Sequence, residues 1–208
     1  MSKSIRAVIF DIGGVLVRTV DPSARAVWEQ RLGLPLGGAE AKVLNSPTGH
    51  SAQRGEISDA DLWRWVQQEL QLGEDLERFR ADFWRGDAVD ASLIDFIRRL
   101  RPRYRTAVIS NATDSLRATL TRYGLLELFD VIVGSAYEGV MKPDPAIYAR
   151  ALNRLGLRAE QTVFIDDAPA NVAGAIAVGM DAIQFTPSID LESALTRLGV
   201  YALPSDVQ

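Results

Sequence analysis

Apolar residues along this chain follow two rhythms. Short runs at Ile5-Arg6-Ala7-Val8-Ile9-Phe10, Thr106-Ala107-Val108-Ile109, Val131-Ile132-Val133, Thr162-Val163-Phe164-Ile165 and Ala182 to Phe185 are rich in β-branched or aromatic side chains. Several stop at Asp, Ser-Asn or Gly, as buried strands delivering a loop do. Between the runs, apolar residues recur at helical spacing: Leu93, Ile94, Ile97 and Leu100; Leu116, Leu120 and Tyr123; Tyr148, Leu152 and Leu155; Leu191, Leu195 and Leu198. Each set makes one helix face. Pro145 and Pro169 suit first helical turns and Gly179 a helix end.

Strands without polar alternation, separated by amphipathic helices, predict an α/β fold whose mostly parallel sheet is covered on both faces, a Rossmann-like arrangement. From about Pro22 to Ala88 the pattern is helical, with no convincing strand. Leu62, Val66 and Leu70 share a face after a cap at Ser58 or Asp59, and Leu76, Phe79 and Phe83 form a second stripe. Trp28, Trp63, Trp65 and Trp84 all fall here, which predicts a small helical core rather than a ligand box. The stretch is too long for an ordinary crossover and reads as a cap inserted after the first strand. The expected division is a core of residues 1–17 and 89–208 and a helical cap of residues 18–88. Pro204 to Gln208 is expected to fray.

Composition narrows the function classes. With 208 residues, 47% hydrophobic and 24% charged, the chain can bury one core with a small inserted module. The formal charge is −4, and Arg98, Arg99, Arg101, Arg103 and Arg105 form the only strong basic cluster. That cluster reads as a solvated helix end, so no nucleic-acid partner is expected. The absence of cysteine removes disulfide and thiol chemistry, and a single histidine removes a polyhistidine metal site. The apolar run ending at Phe10 is too short for a signal core or a membrane span, so a cytoplasmic protein with no membrane partner is expected. The sequence leaves a homodimer open.

The informative polar residues sit where the strands end. Asp11, Ser110-Asn111 and Asp166-Asp167 each follow an apolar run, and Lys142 stands before Pro143 in the loop after another. In an open α/β sheet such positions converge on one crevice. A carboxylate nucleophile at Asp11 meeting a phosphoryl group needs a divalent cation and positive donors to relieve repulsion. Asp166 and Asp167 offer hard oxygen ligands suited to magnesium, and with Lys142 the cation keeps the cluster ionised. Ser110, Asn111 and backbone amides around Ile12 can bind phosphoryl oxygens.

Phe10-Asp11-Ile12-Gly13-Gly14-Val15-Leu16, Ile109-Ser110-Asn111, Val140-Met141-Lys142-Pro143-Asp144-Pro145, and Phe164-Ile165-Asp166-Asp167 through Asn171 resemble the four ordered motifs of the haloacid dehalogenase-like superfamily. The subgroup they look most like holds small sugar-phosphate phosphatases and the amino-terminal phosphatase domain of soluble epoxide hydrolase. The resemblance runs from residue 5 to about 185. It implies a magnesium-dependent phosphatase with Asp11 as nucleophile and metal ligand, Ser110 and Asn111 on the phosphoryl group, and Lys142 neutralising both. It further implies Asp167 on the metal, Asp166 reaching it through water or orienting it, and Asn171 as a supporting amide. One position departs from the pattern: the family's second, acid–base aspartate is Gly13 here, whose carbonyl can still ligate the metal but whose side chain cannot move a proton.

The expected activity is therefore hydrolysis of small phosphorylated metabolites through an aspartyl-phosphate. The alternatives are a metal-independent haloacid dehalogenase and a phosphate- or metabolite-binding regulatory protein without turnover; Gly13 argues against a mutase. Within the cap, His50, Arg54 and Glu56 are the substrate-selecting candidates, flanked by Gly49 and Gly55 in a stretch suited to a mobile loop.

Overall fold

The computed structural model describes residues 4–204, so all but the first residue of the expected frayed tail lies outside the described residues. The first apolar run becomes β1 (Ala7–Phe10), buried along its whole length. After β2 (Val17–Thr19) come α1 (Ser23–Leu32), α2 (Gly38–Val43), α3 (Pro47–Gln53), α4 (Asp59–Glu69) and α5 (Leu76–Arg85), then β3 (Asp87–Val89). The chain continues as α6 (Ala91–Leu100), β4 (Arg105–Ser110), α7 (Leu116–Arg122), β5 (Val131–Gly134), α8 (Ser135–Glu138) and α9 (Pro145–Leu155). It ends in β6 (Thr162–Asp166), α10 (Pro169–Ala177), β7 (Asp181–Gln184) and α11 (Leu191–Arg197).

The main sheet runs β5-β4-β1-β6-β7 and is parallel throughout. Alternation along β1 sends Val8 and Phe10 into a core on one face with Ile97, Leu100 and Leu120. Ala7 and Ile9 point into the other core with Tyr148, Leu155 and Phe164. Both faces are covered, which is why these strands read as continuous apolar runs. Phe10 pairs with Val108 on one side and Ile165 on the other. That register brings Asp11, Ser110 and Asp166 to the same edge of the sheet.

Helices α1 to α5 surround a third core of their own. Trp28 and Trp63 are buried in it, Trp65 and Trp84 pack against it, and Phe79 meets Trp28 edge-on at 5.3 Å. Helix α4 starts where Ser58 and Asp61 form a reciprocal capping box.

One expectation needs correcting. The pattern predicts no strand between Pro22 and Ala88, yet β3 begins at Asp87 and pairs antiparallel with β2, Thr19 opposite Asp87 and Val17 opposite Val89. Each strand is three residues long, β3 is only half-buried throughout, and the partners are some seventy positions apart in the chain. No periodic signal can mark such a pair.

The five clustered arginines all donate or pair within the chain: Arg98 with Asp95, Arg99 with Glu192 and the Leu203 carbonyl, Arg101 with the Glu127 carbonyl, Arg103 with the Tyr201 carbonyl, and Arg105 with the Leu155 carbonyl. No helix among the described residues is long and apolar enough to cross a membrane.

Candidate active site

The site is built on the carboxyl ends of β1, β4 and β6. Lys142, in the loop before α9, is 3% exposed. Its Nζ lies 2.8 Å from Asp11 Oδ2 and 2.6 Å from Asp166 Oδ2, and donates to the Ile109 carbonyl at 3.0 Å. Asp166 is wholly buried; it also accepts from the Ala168 amide at 2.9 Å, and both its oxygens accept from Asn171 Nδ2, Oδ1 at 3.0 Å and Oδ2 at 3.1 Å. Asn171 thus holds the carboxylate from the first turn of α10. Tyr148 supports it from below, donating its hydroxyl to the Asn171 carbonyl at 2.8 Å.

Asp11, Asp166 and Asp167 can bring carboxylate oxygens within 4.8 Å of one another. One lysine cannot neutralise three carboxylates. Burial pushes Asp11 up to about 6 against the pull of Lys142, with Asp166 adding to the rise. Burial and Asp166 also raise Asp167. A cluster of hard oxygen donors with excess negative charge fits a divalent cation of the magnesium type.

Gly14 explains how Asp167 reaches this cluster. Its φ is +75°, and a Cβ there would lie 2.2 Å from Asp167 Oδ2, so only glycine lets the two loops touch. Gly13 is different: a Cβ there would meet nothing within 4 Å. The position faces open space.

The two polar residues ending β4 divide their work. Ser110 is buried and borders the crevice. The Asn111 side chain is engaged with the lysine loop instead, Oδ1 accepting from the Lys142 amide at 2.8 Å and Nδ2 donating to the Lys142 carbonyl at 3.0 Å. It positions Lys142, whose peptide bond to Pro143 is cis. Ile12 donates its amide to Asp11 Oδ1 at 2.7 Å and so orients that carboxylate.

A cavity of about 370 Å³ opens beside Ile12, Gly13, Ser110 and Asn111. Its opposite wall comes from the helical insert, through Leu62, Trp63, Arg80 and Trp84. None of the three substrate-selecting candidates lines it. His50 is half-buried on α3; Arg54 closes on Glu56, Nε to Oε1 at 2.6 Å, and that bond holds the Glu56 carboxyl well below its usual range. Gly55 between them abuts the core elsewhere, since a Cβ there would lie 2.2 Å from the Ala136 carbonyl oxygen.

Of the insert residues that do face the cavity, Leu62, Trp63 and Trp84 are marked in the sequence only as packing and Asp59 only as a helix cap, while Val43, Leu44, Gln53 and Arg80 carry no mark at all. Asp59, at the start of α4, takes Arg80 at 2.8 Å and the Thr113 hydroxyl at 2.9 Å, and its amide donates to Asp114 Oδ1 at 2.9 Å. It ties the insert to the loop after β4. Its spacing before Leu62 signals a helix start and nothing more, and only the folded arrangement reveals the second role.

Residues 5–179 match the model of the haloacid dehalogenase-like hydrolase family. A sesquiterpene phosphatase of Aspergillus oryzae is 31% identical over 195 residues, covering 91% of this chain and 94% of its own. A fructose-1-phosphate phosphatase of Escherichia coli is 29% identical over 190 residues, covering 88% and 97%. Among solved structures, a predicted HAD-like family hydrolase from Porphyromonas gingivalis superimposes with a TM-score of 0.75 at 24% identity, covering 93% of this chain and 97% of that one. That likeness is one of fold.

Proposed function

The chain belongs to the haloacid dehalogenase-like hydrolases, and from that premise we propose that it hydrolyses small phosphomonoesters in a magnesium-dependent reaction that passes through a phosphoryl group on Asp11. The observation that carries the reading is the Lys142 ammonium bridging Asp11 and Asp166, with Asp167 close enough to complete a three-carboxylate cluster.

Asp11 attacks phosphorus through a carboxylate oxygen, and the bond to the leaving oxygen breaks. Water then releases phosphate and restores the carboxylate. Lys142 stabilises the nucleophile and the charge that gathers on the phosphoryl oxygens, while Ser110 and the backbone amides at Ile12 and Asn111 orient those oxygens. Asp11, Asp167 and the Gly13 carbonyl would hold magnesium. Asp166, its oxygens already shared among Lys142, Ala168 and Asn171, orients the set. Bound magnesium would supply charge neutralisation between substrate and carboxylates. In this reading residues 18–88 act as a cap that covers the crevice and chooses the leaving group.

Gly13 supports a second reading, a phosphate-binding protein without turnover, because it offers no proton donor at the position facing the leaving group. A metal-independent dehalogenase fits less well, since it would leave three clustered carboxylates to one lysine. Three measurements separate these: phosphate release from acetyl phosphate and aryl phosphates with magnesium or with chelator, the same assay on Asp11→Asn, and halide release from a 2-haloacid. The phosphatase reading expects at least about a thousandfold loss in the variant and in chelator. Equal background from both proteins would favour binding alone, and halide release in chelator would favour the dehalogenase.

A further inference from the structure

The carboxylates concern the phosphoryl group; the cavity beside Gly13 concerns what departs. Its wall includes Leu44, Leu62, Trp63, Trp84 and Leu116. Of the charged side chains at its wall, Asp59, Arg80 and Asp87 are paired within the chain. Arg80 is paired with Asp59 at 2.8 Å and lies over the Trp63 ring at 5.2 Å. Asp87 takes Arg25 at 3.1 Å and the Thr19 hydroxyl at 2.6 Å. Arg122 is exposed and stacks on Tyr123 at 5.0 Å. The Gln53 amide donates to the Leu44 carbonyl at 2.6 Å.

A sugar or a carboxylate entering this space would surrender hydrogen bonds to water along a wall made chiefly of Leu44, Leu62, Trp63, Trp84 and Leu116, with the paired Asp59, Arg80 and Asp87 giving little in return. A hydrocarbon would gain by leaving water. At roughly 30 Å³ for each water-sized atom, a volume of about 370 Å³ holds about a dozen non-hydrogen atoms.

Gly13 supplies a separate reason. It borders the same cavity, and the space a side chain would take is open. At position 13 itself no carboxylate stands against an apolar ligand.

Resting on the phosphatase reading, we propose that the substrate is a phosphomonoester with a bulky apolar leaving group, seated in this cavity, rather than a sugar phosphate or a phosphorylated acid. In the transfer step the bond from Asp11 Oδ to phosphorus forms as the bond from phosphorus to the leaving oxygen breaks. The electron pair goes to that oxygen, which takes its proton from water.

The test uses para-alkylphenyl phosphates, because the phenol's acidity stays nearly constant along the series and only apolar bulk changes. Phenyl, 4-propylphenyl and 4-hexylphenyl phosphate are compared with 4-(hydroxymethyl)phenyl phosphate, fructose 1-phosphate and phosphoglycolate, and acetyl phosphate reports on phosphoryl transfer with almost no leaving group to bind. The proposal expects kcat/KM to rise by up to about fourfold for each added methylene until the cavity is full, and the polar compounds to fall below phenyl phosphate. Leu44→Asp, at a half-buried position, should then lower the ratio of 4-hexylphenyl to acetyl phosphate turnover at least about tenfold. Turnover of acetyl phosphate with a flat alkyl series, or with the sugar phosphate preferred, would overturn the proposal and leave the phosphatase reading standing. No magnesium-dependent release from any compound, acetyl phosphate included, would overturn both.

Discussion

At Gly14 the backbone stands at φ +75° with Asp167 pressed against the missing Cβ, whereas a Cβ on the neighbouring Gly13 would meet nothing within 4 Å. Gly14→Ala should therefore lower stability by about 1–3 kcal/mol, through left-handed strain and displacement of the Asp167 carboxylate. Chemical denaturation measures the first effect, and a weaker response to magnesium the second. Gly13→Asp should fold with a melting temperature close to the parent's. If the missing acid limits the reaction, that variant should speed hydrolysis of unactivated phosphate esters by about 100-fold while changing acetyl phosphate far less. An equal change on both substrates, or none on either, would show that position 13 is not where the proton is needed. Both glycines are plain in the sequence, but their opposite tolerances come from which loop happens to lie beside each.

Among the elements, two contacts hold the site in shape. The Asn111 side chain joins the end of β4 to the loop before α9 through two hydrogen bonds to the Lys142 backbone. Asn111→Ala leaves those groups unpaired, which should cost about 1–3 kcal/mol and reduce kcat more than it raises KM, because Lys142 loses its placement. The second contact is Asp59, which fastens α4 to the loop after β4. Asp59→Ala should quicken amide exchange in the first turn of α4 by about tenfold or more, read by hydrogen–deuterium exchange, with the main sheet unchanged. The regular elements were legible because each buries a periodic face: β1 to Phe10, α6 through Ile97, and α9 between Pro145 and Gly156. The pair β2 and β3 was not, since three residues on each side are too few to carry a period, and the pairing joins segments some seventy positions apart. His50, Arg54 and Glu56 stood out as the chemically versatile residues of a polar loop. The folded insert presents α4 and α5 to the crevice instead, and Arg54 and Glu56 satisfy each other.

For the whole molecule, the concentration of negative charge at the sheet edge links stability to pH and to metal. Burial lifts Asp11 to about 6, so between the ordinary aspartate range and that value the folded chain holds a proton that the unfolded chain releases. Stability tied to that proton is present at low pH and is lost as the pH rises through about 6, leaving an unfavourable buried charge above it. Magnesium relieves that charge, so it should raise the melting temperature clearly near pH 7.5 and little near pH 5, with a limit of about 2.7 kcal/mol at a hundredfold excess over Kd. A magnesium response independent of pH would mean that Asp11 is not among the ligands. Sequence alone determined the parallel sheet, the helical insertion after its first strand, and the gathering of Asp11, Ser110, Lys142, Asp166 and Asp167. It could do so because apolar periodicity dictates which residues are buried, and parallel strand ends must share one edge. Only the tertiary structure decided that the Asn111 side chain holds the Lys142 backbone, that Gly14 yields its space to Asp167, and that tryptophans and a closed Asp59–Arg80 pair wall the cavity. Those outcomes depend on contacts between segments distant in the chain, where geometry settles which of several chemically able partners a side chain meets.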